Sequence, residues 1–299
     1  MNECFYRGLF LLTVGFASLS RVPAGELNPG AAYAQVYERA TNRFAEMALF
    51  TPKEPDPSGM SFALAPLILQ EISAPVSRSE IPDRFGELEL TRHQLRVKVS
   101  QPTVYFRADV TRIYKQPHAR WTYVWFYPAH RDEPGKAGVE GQGIRLTLDS
   151  SGKPAVWEVL SDASGAALIF VSRAVEEAAR AQYGQPLPGR IYAVERSLTN
   201  SAGVVVPRVI EDGPVAMGPI VYLISGTRSV ATLICRCMPA QAAHLTSTTH
   251  YRLQSLEESE LDHTAANASE PGGRARPAPP RLPTDDKSLD LVLRLPSAF

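Results

Sequence analysis

One short segment, "CRCMPAQAAHLTSTTH", gathers Cys235, Cys237, His244 and His250. Two sulfurs and two imidazoles are the donor set of a zinc site. The five residues between the histidines suit zinc, whereas the single residue between the cysteines is closer than the usual two to four. A soft ion such as Cu(I) accepts two thiolates and can add a thioether, for which Met238 is adjacent. Met238 points to the opposite face while the strand continues. Pro239 argues that the strand ends there, and a bend would bring Met238 round.

A quiet strand end and a disulfide compete with the metal. In a regular strand residues i and i+2 face the same way, with Cα atoms about 6.6–6.8 Å apart. Disulfides span roughly 4.4–6.8 Å, so a bond between Cys235 and Cys237 requires a bend at Arg236. A nucleophilic thiol needs a nearby base or cation to lower its pKa. Arg236, on the other face of a strand, is poorly placed for that.

The second constellation is aromatic. In "RWTYVWFYP", Trp121, Tyr123, Trp125 and Tyr127 share one side of an extended chain, and Thr122, Val124 and Phe126 share the other. Such a ladder either stacks on sugar rings and aromatic ligands or forms a strand buried on both sides. Both faces are largely apolar, which favours burial. Arg112, Tyr114, His118 and Arg120 lie just upstream and would rim a pocket if the face were open. An envelope enzyme built there is a second alternative. No GxSxG, phosphate loop or HExxH is present. Glu158, Asp162, Glu195, Glu211 and Asp212 read as ordinary strand-end or turn residues. Asn267-Ala-Ser269 is a glycosylation sequon.

The elements that must position these groups are mostly strands. Leu95, Val97 and Val99 alternate with polar residues, as do Val104 to Val110 and Ile144 to Leu148. "DSSGKP" is a turn, and "AALIFVS" is a buried strand. "IYAVERS", "GVVVPRVI", "GPIVYLI" and "SVATLICRC" are further strand candidates, the last two joined by a hairpin at Ser225–Thr227. Ser172 to Tyr183 reads as a helix with Val175, Ala178, Ala179 and Tyr183 inward and Gly184 as its cap. Tyr33, Val36, Tyr37, Ala40, Phe44 and Met47 repeat at three and four, predicting an amphipathic helix over 31–50. The run from Phe62 to Ile72 is broken by Pro66 and fits either a broken helix or a buried extended segment.

Composition frames the rest. The 299 residues carry 31 basic and 31 acidic groups, so no net field steers nucleic acid or an anionic membrane. Residues 1–25 carry an apolar stretch of about a dozen residues followed by small ones, the pattern of a secretory signal and too short to span a bilayer. Export would leave Cys235 and Cys237 as the only cysteines of the mature chain, in an oxidising compartment. Residues 256–287 are rich in proline, glycine and charge, which predicts disorder. Residues 288–299 alternate like a strand that pairs with its own sheet or a partner's.

The expectation is a periplasmic or extracellular α+β, β-rich protein with an antiparallel or mixed, sandwich-like sheet. Its parts are helical segments and linkers over 26–84, a globular body over 85–255, and the tail. Its favoured role is a non-enzymatic binding or structural module without a cofactor. Zinc or copper is the metal of the alternative reading. Partners are left open, with residues 288–299 as the candidate contact for a protein, and neither nucleic acid nor a membrane span is expected.

Overall fold

The structure is a computed structural model and describes residues 47–53, 59–71, 84–90, 95–128, 139–160, 167–197, 204–236, 247–256 and 288–299. The expected signal segment, residues 31–46 of the expected helix and residues 257–287 of the expected tail lie outside the described residues, as do Cys237, Met238 and His244.

The strands are β1 (Met47–Pro52), β2 (Leu67–Glu71), β3 (Glu87–Leu90), β4 (Leu95–Lys98), β5 (Thr103–Ile113), β6 (Gln116–Pro128) and β7 (Val139–Leu148). They continue with β8 (Pro154–Val159), β9 (Ala167–Ser172), β10 (Val204–Val205), β11 (Val209–Ile210), β12 (Ile220–Leu223), β13 (Val230–Ile234) and β14 (Ser247–Ser255). The helices α1 (Met60–Ala63), α2 (Arg173–Tyr183) and α3 (Leu289–Val292) are short.

One mixed sheet runs β10-β9-β8-β7-β6-β5-β14-β1-β2-β12-β13, with β11 also on β9, and curls into a half-barrel. From β5 to β9 it is an antiparallel meander. Strand β14 enters parallel to both β5 and β1, and β12 runs parallel to β2. The concave side holds the main core: Phe50, Phe85, Tyr123, Trp125, Tyr127, Ile144, Leu146, Phe170, Leu233 and Tyr251 are all buried there. On the convex side the β3–β4 hairpin covers Tyr105, Val124 and Phe126. Helix α2 and the C-terminal segment pack with Ile113, Val156, Ile169 and Val171.

Alternation anticipates β5 and β7 of this meander, and the aromatic stretch and the apolar run anticipate β6 and β9, while β8 is not among the strand candidates. The turn reading at Asp149–Pro154 holds. There Asp149 Oδ1 accepts from the Ser151 and Lys153 amides, and Gly152 takes φ +81°. The α2 prediction also holds. Ser172 Oγ accepts from the Val175 amide at 3.2 Å, and Gly184 ends the helix at φ +80°.

Elsewhere tertiary pairing overrides the local pattern. Met47–Phe50, read as the end of a helix, belong to β1, because β14 and β2 supply a ladder on both edges. The Phe62–Ile72 run divides at Pro66 into α1 and β2. "IYAVERS" forms turns rather than a strand: the Glu195 carboxylate accepts from the Ile191 and Tyr192 amides, which fixes a local loop. Phe85, at the end of a polar linker, is fully buried and touches Phe50, Trp125, Tyr127 and Tyr251. Gly86 permits this, since a Cβ there would meet the Lys98 carbonyl oxygen at 2.2 Å.

The C-terminal segment, expected as a strand, instead forms α3 and an extended end docked on its own chain. Leu289, Leu293 and Leu295 are buried, and among the described residues the only strand-like pairing is a single bridge between Leu293 and Glu195. The Leu295 carbonyl accepts from the hydroxyls of Tyr183 at 2.7 Å and Tyr114 at 3.0 Å. Arg196 donates to the carbonyls of Asp290 and Leu293.

Candidate functional site

The half-barrel leaves a seam where β13 approaches the strands of the meander. At one end the β12–β13 turn is fastened across it. Arg228, at φ +58°, donates to the Pro128 carbonyl at 2.7 Å and to Glu140 at 3.0 Å, with its guanidinium 4.8 Å from the centre of the Tyr127 ring. Gln142 returns a hydrogen bond to the Arg228 carbonyl at 3.3 Å.

At the other end a cleft remains, lined by Ile234, Cys235 and Arg236 from the β13 side, by Lys153 and Trp157, and by residues of the 210–219 segment. It has about 30 Å³ of room for water-sized groups. That admits about two waters or one small polar end group. Gly218 closes one side: its amide donates to the Ala63 carbonyl at 2.9 Å, and a Cβ would meet the Leu64 carbonyl oxygen at 2.2 Å.

The polar groups of this cleft divide into satisfied and unsatisfied sets. Glu211 is taken by Arg173, whose Nε donates to it at 2.7 Å; that guanidinium holds the Glu211 carboxyl below its usual range. Asp212 accepts from the Ala174 amide at 3.0 Å, in the first turn of α2. Both carboxylates are thus turned toward α2.

The donors are left over. The Trp157 indole N–H is buried with no acceptor. Arg236 is half-buried, and desolvation pulls its pKa below the usual arginine value, though a guanidinium keeps its charge. Among the described residues neither Arg236 nor the Lys153 ammonium pairs with a carboxylate. The cleft therefore presents donors and a positive charge to whatever enters it.

Cys235 is buried and disulfide-bonded. Strand β13 ends at Ile234 and Arg236 sits in a turn, so the chain bends where a short-range disulfide requires it. The other two cysteines of the sequence, Cys4 and Cys237, are outside the described residues. A disulfide sulfur is not a thiolate, so metal binding through Cys235 would first require its reduction. His250 is exposed and its Nδ1 lies 2.8 Å from the Thr51 hydroxyl. Among the described residues no three His, Cys, Asp or Glu side chains come together as a metal site.

The aromatic stretch lies in β6. Tyr123, Trp125 and Tyr127 are fully buried in the concave core. The Tyr123 hydroxyl donates to the Ser61 carbonyl at 2.8 Å, and Trp125 Nε1 donates to the Tyr127 hydroxyl at 3.1 Å. Burial pushes the Tyr123 phenol far above its usual range. Trp121 is half-buried and stacks on Phe106.

The flanking groups do not converge on a pocket. Arg120 holds Asp109 through two hydrogen bonds of 2.6 and 3.0 Å, while Arg112 is exposed. The His118 ring stacks on Phe299 at 4.8 Å, and its Nδ1 meets the Leu148 carbonyl at 3.0 Å. A carbonyl only accepts, so the proton is on Nδ1.

Sequence reasoning did not single out Trp157 or Lys153, and it assigned no ligand role to Arg236. These residues come from separate elements, and only the curling of the sheet joins them. No protein-family model, no characterised protein and no solved structure matches the chain.

Proposed function

We propose that the protein is an exported, non-enzymatic binding module that captures an acceptor-bearing end group, such as a carboxylate, in the cleft beside Cys235. The observation that carries this reading is the surplus of donors there: a buried Trp157 indole without an acceptor beside the half-buried cation of Arg236. A buried donor without a partner costs about 1–3 kcal/mol, which an entering acceptor recovers. The small volume selects a terminal group of a longer ligand. The disulfide at Cys235 supports export, since such bonds persist in oxidising compartments.

Peptide and glycan arrays probed with the purified protein test the reading. The hits are expected to share a carboxylate, and Arg236→Gln is expected to weaken them at least tenfold. An array without hits, or hits that Arg236→Gln leaves unchanged, refutes it.

A further inference from the structure

The cleft beside Cys235 has apolar walls as well as donors. Ile210, Trp157 and Cys235 line it from the main core, and Val215 and Met217 line it from the 210–219 segment. Gly213 lets that segment fold back on itself. A Cβ there would meet the Val215 carbonyl oxygen at 3.3 Å and the Met217 Cγ at 3.5 Å. Ala216 packs against the core, whereas its neighbour Val215 is 60% exposed. Of the large apolar side chains exposed among the described residues, Val215 is the one that lines this cleft. The wall therefore continues outward as apolar surface.

The charges are arranged by depth. Arg236 and Lys153 are half-buried, while Glu211 and Asp212 line the same cleft and are exposed. A ligand with a second negative charge would meet these two carboxylates as it enters, and like charges brought together in this way discriminate against a ligand. The room inside, about 30 Å³ for water-sized groups, admits a carboxylate but not the group that carries it. That group is left at the exposed side, where Val215 stands.

We infer that the cleft takes monocarboxylates bearing an apolar group next to the acid, with the carboxylate held by Arg236 and Lys153 and the apolar group against Val215 and Met217. The inference rests on the proposed capture of an acceptor-bearing end group and names its chemical class. The C-terminus of a peptide ending in an aliphatic residue and a free branched aliphatic acid share this chemistry.

The test is isothermal titration of the full chain with N-acetylleucine, N-acetylglycine, N-acetylaspartate, N-acetylleucine amide and isocaproate. N-acetylleucine is expected to bind about tenfold more tightly than N-acetylglycine, the gain from covering roughly half of its isobutyl group. N-acetylaspartate is expected to bind no better than N-acetylglycine, and the amide to show no measurable binding. Val215→Asn is expected to cut the leucine preference to less than about threefold, and Val215→Leu to keep it. Arg236→Gln is expected to weaken every acid about tenfold or more. Circular dichroism checks the fold of each variant.

Tighter binding of N-acetylleucine than of isocaproate identifies the end of a peptide, and equal or tighter binding of isocaproate identifies a free aliphatic acid. Equal affinity for the leucine and glycine derivatives overturns the inference and leaves the carboxylate reading standing. So does N-acetylaspartate binding as tightly as N-acetylleucine, or a leucine preference that Val215→Asn leaves intact. Failure of every acid to bind overturns both.

Discussion

The two faces of β5–β7 are made by the same strands and solve opposite problems. On the concave face Tyr123 and Trp125 are completely buried, and each polar tip has a partner, Ser61 O for the Tyr123 hydroxyl and the Tyr127 hydroxyl for the indole. On the convex face Thr122 and Thr147 are buried to the same degree, yet their hydroxyls have no partner. Natural proteins satisfy nearly all buried polar groups, and the exceptions concentrate where something binds or moves. The concave face is therefore the stabilising one, and the convex face carries a deficit.

The largest expected effect breaks the concave side. Trp125→Ala removes a fully buried indole from the centre of the core. It is expected to cost about 3–5 kcal/mol in urea denaturation. A loss under about 1 kcal/mol would mean that this face is not the core.

The sharper contrast pairs two small changes on adjacent residues. Tyr123→Phe strips the donor from the Ser61 carbonyl and is expected to destabilise by about 1–2 kcal/mol. Thr122→Val removes an unpaired hydroxyl and is expected to be neutral or to stabilise by up to about 1 kcal/mol. Equal losses from both, read from the same denaturation curves, would erase the distinction between the faces.

The smallest effect is a pH dependence at the edge of the convex face. Burial and the nearby Tyr183 push the Tyr114 phenol up to about 12 from an ordinary value of 10.0. A raised phenol pKa means that the folded chain favours the neutral form. Its contribution is present below pH 10.0 and is lost as pH rises toward about 12. Because Tyr114 donates to the Leu295 carbonyl, proteolysis of the C-terminal segment is expected to accelerate over that interval. Tyr114→Phe is expected to show protection that no longer changes with this ionisation, and an unaltered alkaline profile in that variant contradicts the assignment.

Much of the meander was legible because its pattern is local. Alternation at Val104–Val110 and Ile144–Leu148 needs no knowledge of partners, and "RWTYVWFYP" announces one aromatic face directly. β1 was not legible: Met47, Ala48, Leu49 and Phe50 read as helix because their partners on β14 lie about two hundred residues away. The polar rungs of the convex face were half legible. Arg107-x-Asp109, Arg120-x-Thr122 and Arg145-x-Thr147 each place polar groups on one side of a predicted strand, a repeat visible in the sequence. What aligns them into rungs is strand register, which no single segment encodes. The cleft was least legible, since Lys153, Trp157 and Arg236 meet only when the sheet curls.

The position of β14 also bears on the order in which the chain can fold. Strand β1 pairs Ala48 with Ser247, and β5 pairs Thr103 with Arg252, so neither ladder closes until the last long strand emerges. During synthesis β1 and β5 therefore present unpaired backbone edges while more than a hundred residues are added between β5 and β14. Exposed edges of that kind invite pairing with other chains. Slow, non-local closure prolongs the exposure. β14 thus sets both the completion of the sheet and the interval in which the nascent chain most needs a chaperone.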